Sequence, residues 1–408
     1  MRENTVRKYK THVIKIKQSL QILAGPRAIK HIREHGLRPA DIDIIPGAAG
    51  GPKGLGLTKL DEWLFADFLP QGFDERKNPI QLIGASIGAW RFASVCRGVN
   101  EGKFSADETR KALALFAKTY SETKYAKNVN AATITADARN LIHSLFDGHV
   151  AEVLAHPHYR LNVLAVRGKG ILAREQRGRT HAGYLLAALA NAAGRKHLRH
   201  FLDRTWFYSQ NETLALASVT EQNRPKLPAS NGVSNMNPFF ASLETDPFTT
   251  EYAALTETNF RDVLIATGTI PLVLEGVVGI DGASDGTYWD GGLIDYHLHL
   301  PYAHTDGLVL YPHFTHKIVP GWLDKMLPWR KAAGDSLDNV ILVCPSKEYL
   351  AQLPFKKLPD RNDFKRFAND YEGRLKYWRF AMGESARLRD ELAGLIESGE
   401  TAGRLESF

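Results

Sequence analysis

The chain has 408 residues, 44% hydrophobic and 24% charged, with a formal charge of +7; this balance belongs to a folded globular protein and excludes a disordered or fibrous one. Its two cysteines, Cys96 and Cys344, lie far apart in apolar segments, which excludes a disulfide framework and a cysteine-rich metal site. No apolar stretch reaches membrane-spanning length, and the basic N-terminus lacks a signal-peptide core, so a cytoplasmic protein is expected.

The positive charge suits acidic partners: anionic lipid headgroups, acidic metabolites or nucleic acid. Nucleic acid is the weakest of these. The basic residues are scattered, and no zinc-finger spacing, RNP-like strand or heptad-bearing basic helix accompanies them.

Residues 1–37 read as helical, with "RAIKHIREHG" closing on a glycine suited to a C-cap, so residues 1–40 are expected to form a helical extension. The β-branched run Ile42, Ile44 and Ile45 then predicts a short strand. It breaks into the glycine-rich "AAGGPKGLG", followed by a helix with Leu57, Leu60, Leu64 and Phe68 at near-helical spacing. The pattern repeats at "PIQLIGASIGAWRFASVCRGV": strand, tight turn, helix. A basic helix is expected over 106–120, and strands over 159–168, 205–209, 214–220, 306–312 and 339–345. Residues 224–238 read as a long loop, and residues 363–398 as one or two helices with Phe367, Tyr371, Leu375 and Trp378 as the buried stripe. Strands alternating with helices predict an α/β fold with a mainly parallel central sheet covered on both faces.

Within "QLIGASIGAW", Ser86 stands between Gly84 and Gly88 in a Gly-x-Ser-x-Gly match. A second match, Gly282 to Gly286, carries Ser284. A nucleophile needs a strand before it and a helix after it, so that its hydroxyl stands exposed on a sharp turn at a helix N-terminus. Ser86 has both neighbours. Ser284, among aspartates and glycines, has neither and reads as a turn serine.

A serine also needs a base and donors for the oxyanion. The loop at 48–56 offers backbone N–H groups and Lys53. It matches neither a Walker A loop nor a dinucleotide fingerprint. In "TYWDGGLIDYH", Asp290 precedes Gly291 and Gly292, a placement that keeps its carboxylate uncovered; alone, Asp-Gly-Gly is most often a turn. Asp43 and Asp295 read as turn and surface carboxylates. "HPH" at 156–158 reads as strand-edge packing before a metal site.

Glycine loop, Gly-x-Ser-x-Gly and Asp-Gly-Gly, in that order over residues 42–300, resemble the patatin-like phospholipase family. "AGGPKG" resembles its oxyanion loop, "GASIG" its elbow, "DGG" its aspartate motif, and "ATGTIPLVLEGV" the segment before that motif. The resemblance implies a three-layer α/β/α sandwich, with a catalytic domain over 41–310 and a C-terminal strand and helical extension over 311–408. It also implies a Ser86–Asp290 dyad in which the aspartate is the general base. Gly50, Gly51, Lys53 and Gly54 would line the oxyanion hole, with Gly84, Gly88, Gly291 and Gly292 as motif glycines. The implied activity is hydrolysis of the carboxylic esters of phospholipids or related lipids through an acyl-enzyme, with no metal and no cofactor. Lys53 stands where the family usually has arginine, Ala48 and Ala49 replace part of its glycine run, and Asp295, Tyr296, His297 and His299 follow where it tends to asparagine and proline.

Two other readings compete. His297, His299, His304, His313 and His316 follow Asp290, so the order of an α/β-hydrolase Ser-Asp-His triad is available. A non-catalytic lipid-binding module is the other. In "PGWLDKMLPWRK", Trp322, Met326 and Trp329 beside Lys325, Arg330 and Lys331 suggest peripheral contact with an anionic membrane, against the plainer reading of a helix packed on the core.

Overall fold

The computed structural model describes residues 18–124, 129–176, 178–209, 243, 246–330, 332 and 334–408. Short apolar runs, each punctuated by glycine, proline or polar residues, build an 11-stranded sheet. In chain order the strands are β1 (Leu20–Ala24), β2 (Ile42–Gly47), β3 (Ile80–Ala85), β4 (Tyr159–Gly168), β5 (Leu202–Ser209), β6 (Thr250–Leu255), β7 (Val277–Val278), β8 (Thr287–Asp290), β9 (Leu308–Pro312), β10 (Val340–Pro345) and β11 (Leu405–Ser407).

Across the sheet the order is β11-β1-β10-β9-β2-β3-β4-β8-β7, with β5 on the free edge of β4 and β6 beyond it. From β10 through β9, β2 and β3 to β4 the strands run parallel. These are the strands with near-continuous apolar sequence: "LVLYP" and "VILVCP" are buried at every position. That is the composition a parallel sheet covered on both faces demands. The protein is therefore α/β with a mainly parallel central sheet, as the alternation of elements predicts.

The register places two chain ends together. β3 runs along β4 as far as Ala85, opposite Leu164. β8 returns antiparallel along the same edge and ends with Asp290 opposite Ala165. The edge is shared end to end, so Ser86 and Asp290 arrive from opposite directions at neighbouring positions of one strand.

A helical reading of residues 1–37 holds for Pro26–His35, but Leu20–Ala24 is a strand. "LQILA" is too short to show a helical or strand period. Its burial between β10 and β11 decides its conformation. The stretches read as terminal extensions thus contribute β1, β10 and β11 to the same sheet. Beyond Asn362 there are three helices, Asn362–Arg366, Tyr371–Glu384 and Ala386–Glu397, rather than one or two. The expected strand at 214–220 and loop at 224–238 lie outside the described residues. No helix among the described residues is long and apolar enough to cross a membrane.

The helix that follows Ser86, Ile87–Val95, is anchored by a buried ion pair. Arg91 donates from Nε and Nη2 to the two oxygens of Asp61, at 2.8 and 2.6 Å, on the helix Thr58–Trp63. Paired charges at this depth fix the helix in rotation, because either charge alone would be strongly unfavourable there.

Candidate active site

Ser86 is held in a conformation its side chain disfavours. With φ 54° and ψ −128°, it lies in the left-handed half of backbone space between β3 and the helix. Such a residue costs about 1–3 kcal/mol, so its surroundings must impose it. The two flanking glycines show how. A Cβ on Gly84 would sit 2.5 Å from the Ala89 nitrogen, and one on Gly88 would sit 1.8 Å from the Gly47 oxygen. Only glycines let the helix fold back this closely on β3 and β2. The Ser86 N–H donates to Thr267 Oγ1 at 2.9 Å, and Thr267 donates in turn to the Leu164 carbonyl at 2.5 Å. Ile87 and Gly88 begin the helix, where backbone N–H groups have no helical acceptor. Ser284, by contrast, is exposed in the turn between β7 and β8, its N–H donating to Glu251.

The Asp290 loop is shaped by the same crowding. A Cβ on Gly291 would fall 2.1 Å from the Leu164 oxygen, and one on Gly292 would fall 2.8 Å from Ala49 Cβ. The Asp290 N–H donates to the Thr269 carbonyl at 2.8 Å, while its Oδ1 accepts the Gly292 N–H at 2.7 Å. Burial pushes the Asp290 carboxyl above the ordinary aspartate range. Three partners act the other way: the Arg361 charge, the Gly292 N–H and the Ser86 hydroxyl. Thr267 and Thr269, two residues apart on one segment, therefore hold the backbones of Ser86 and Asp290 respectively.

The glycine loop passes between them. The Ala49 N–H donates to the Tyr296 carbonyl at 2.9 Å. The N–H groups of Gly50 and Gly51 stand at the start of the 3-10 turn Gly51–Leu57, where the backbone offers no acceptor, so they remain available to an anion. A Cβ on Gly50 would meet the Phe314 ring at 2.6 Å, and Gly51 takes φ 57°. Gly54 serves packing, since a Cβ there would press on Ile87 at 3.2 Å and Arg91 at 3.3 Å. The Lys53 ammonium stands over the Phe314 ring, 5.2 Å from its centre, and burial lowers its pKa.

Arg361 is marked by no pattern in the sequence, yet it lies at the centre. Its Nη2 is 4.0 Å from Asp290 Oδ2. Together with Asp290, Gly292, Tyr296, Trp322 and Ile270 it lines a crevice of about 10 Å³, the room of roughly one water molecule. Ser86 is only 4% exposed. A polar stretch such as "PDRNDF" carries no periodicity or motif that distinguishes its arginine; Thr267 and Thr269 lie in a segment that the sequence does single out.

The histidines after Asp290 are engaged elsewhere. His297 is buried, its Nδ1 accepting the Val319 N–H at 3.0 Å, and burial holds its pKa well below the usual range. His313 meets Thr315, and His299 the Ser336 hydroxyl. None is among the groups acting on Asp290. His156 accepts the N–H groups of His158 and Tyr159 through Nδ1, as strand-edge packing requires. No metal-binding group of His, Cys, Asp or Glu occurs among the described residues. Asp295 is not a surface carboxylate. It is buried and takes Nε and Nη2 of Arg204 at 2.6 and 2.8 Å. Asp43, half-buried, takes Arg76 at 2.8 Å and the Gly307 N–H at 2.9 Å.

In comparisons with known proteins, no protein-family model, no curated protein and no solved structure matches the chain.

Replacing Thr267 by valine leaves the buried Ser86 N–H without its acceptor. The expected loss is about 1–3 kcal/mol of stability in urea unfolding, with Thr267→Ser restoring most of it. An unchanged unfolding midpoint in Thr267→Val would mean that the threonine does not hold the turn.

Proposed function

We propose that this protein is a serine acyl hydrolase of the patatin-like kind, with its sheet as the middle of a three-layer α/β/α sandwich, acting on lipid esters. The observation that carries this reading is the approach of the Ser86 hydroxyl, on a strained strand-to-helix turn, to the Asp290 carboxyl, whose pKa it lowers.

In this mechanism Asp290 takes the Ser86 proton as the hydroxyl oxygen attacks the ester carbonyl. The oxyanion is held by N–H groups of Gly50, Gly51 and Ile87. Asp290 then gives the proton to the leaving alcohol, leaving an acyl-enzyme on Ser86, and the same carboxylate activates the water that hydrolyses it. A solvated aspartate is too weak a base near neutral pH; the burial that raises the Asp290 pKa brings it nearer the working range. A Ser-Asp-His triad is disfavoured by the engagement of His297, His299 and His313 away from Asp290. A purely binding module has no use for a strained serine.

Lipid is the substrate class that the surroundings favour. Trp322 lines the crevice, and on the same turn and just past it Met326 and Trp329 are 83% and 67% exposed. Leu185 and Leu189 are exposed on the helix Arg179–Ala193, which packs against that turn. With the net positive charge, such apolar residues fit a cytoplasmic enzyme that meets anionic membrane peripherally.

A fluorophosphonate probe should label the wild type and the Ser284→Ala variant, and fail on Ser86→Ala; Asp290→Asn should slow labelling by roughly a hundredfold or more. Stoichiometric labelling that survives Ser86→Ala contradicts the assignment. Activity should also fall on acidification, as Asp290 gains a proton. Since the Arg361 charge lowers the Asp290 pKa, Arg361→Gln should move this acidic limb to higher pH in a profile of kcat/KM. A limb that moves down or stays would place the titrating group elsewhere.

A further inference from the structure

Residues 357–363, which carry Arg361 to the Ser86–Asp290 pair, are closed by a clasp of side chains. Lys357 Nζ meets Asp363 Oδ1 at 2.7 Å and Asp360 Oδ2 at 2.9 Å. Asp363, fully buried, accepts the Asp360 N–H at 2.8 Å, and Asp360 accepts the Asn362 N–H at 2.8 Å. The helix Tyr371–Glu384 fastens the clasp from one side. Trp378 Nε1 donates to Asp363 at 3.1 Å, and the Tyr377 hydroxyl donates to the Lys357 carbonyl at 2.6 Å. On the other side the loop rests on the glycine loop. A Cβ on Gly56 would fall 2.5 Å from Leu358 Cδ2, and one on Gly51 would fall 3.0 Å from Arg361 Nε.

Arg361 does not hold itself in place. Its side chain is 41% exposed, and its Nη2 is 4.0 Å from Asp290 Oδ2, the one carboxylate it reaches among the described residues. A pair this open gains less from attraction than an arginine side chain loses in rotamer freedom when it is ordered. Its approach to Asp290 therefore depends on where the loop sets its backbone.

The consequence falls on the base. Burial drives Asp290 toward its neutral form, which cannot take the Ser86 proton; among the described residues, Arg361 is the one charged side chain that opposes this. Tyr184, from the helix Arg179–Ala193, and Tyr296 also face Asp290, but burial raises both phenols and keeps them neutral near neutral pH.

We propose that Lys357, Asp360 and Asp363, fastened by Tyr377 and Trp378, are positioning residues that set Arg361 against Asp290, so that the C-terminal helix bears on the catalytic base. This rests on the reading of Asp290 as the base for Ser86 and adds to it a control from outside the sheet. None of the five lines the crevice, so they act only through Arg361. Because the loop is clasped, any opening that admits substrate lifts it as one piece and leaves its internal geometry intact.

The test follows Asp290 itself and its chemistry side by side. Carbon-13 NMR of protein labelled at the aspartate carboxyls, with the Asp290 signal assigned by its loss in Asp290→Asn, gives the titration midpoint. The pH profile of kcat/KM for a soluble nitrophenyl ester gives the acidic limb. Arg361→Gln removes the charge that favours ionised Asp290, so midpoint and limb should both move to higher pH. Lys357→Gln, which opens the clasp at its part-exposed member, should move both most of that distance, and Lys357→Arg should restore the wild-type values. In the Arg361→Gln background, Lys357→Gln should add nothing. Tyr377→Phe, which loses one hydrogen bond and keeps the ring, should move both in the same direction by less.

A wild-type midpoint in folded Lys357→Gln and Tyr377→Phe, with Arg361→Gln raised, would mean that Arg361 keeps its place without the clasp, and overturns the proposal. Equal shifts from Lys357→Gln in both backgrounds would mean that Lys357 acts through its own charge, and overturn it as well. No shift in Arg361→Gln removes the contact on which it is built. If Ser86 takes no fluorophosphonate label while the midpoints follow the expected pattern, the hydrolase reading fails and the clasp stands.

Discussion

Everything at this site depends on one strand edge being shared. β4 offers its first half to β3 and its next residues to β8, which approaches from the opposite direction. A parallel and an antiparallel partner laid end to end must stop where they meet, and they stop at Leu164 and Ala165. The carbonyl of Leu164 is the common reference point: Thr267 donates to it while accepting the Ser86 N–H, and Gly291 passes too close to it for any side chain. Two residues more than two hundred positions apart are thereby placed by backbone geometry together with one threonine hydroxyl.

The same crowding explains the energetics. A serine at φ 54° and a buried aspartate are each unfavourable alone. They persist because the sheet, the Asp61–Arg91 pair behind the elbow helix and the threonines at 267 and 269 over-determine their positions. What remains adjustable is the cover. The crevice is too small for an acyl chain, and Arg361 and Trp322, which line it, come from connecting segments rather than from the strands of the sheet. On the proposed function, substrate entry requires these segments to move, while the Ser86–Asp290 geometry stays with the sheet.

How far the site can be read in the sequence follows from where each constraint resides. The glycines around Ser86 and after Asp290 are legible as short motifs, although only Gly84 makes room for a sequence neighbour, Ala89, while Gly88, Gly291 and Gly292 make room for Gly47, Leu164 and Ala49. That both motifs end on neighbouring residues of β4 is not legible, since register is set by long-range pairing. β1 escapes a sequence reading because five residues, four of them apolar, are too few to carry a period of their own. Asp295 passes for a surface group because its partner, Arg204, lies 91 residues earlier. Arg361 has no sequence signal at all: its importance arises only from the path that brings residues 354–366 over the glycine loop.

The most direct test of the central claim is to trap the intermediate. Wild type and Asp290→Asn would be mixed with an excess of a medium-chain nitrophenyl ester, quenched in acid within a turnover, and examined by intact-mass and peptide mass spectrometry. A Ser86–Asp290 dyad predicts a mass gain of one acyl group in the wild type, localised to Ser86 and absent from Ser86→Ala. Ester turnover by folded protein with no acyl group on Ser86, or with the group on another residue, would contradict it.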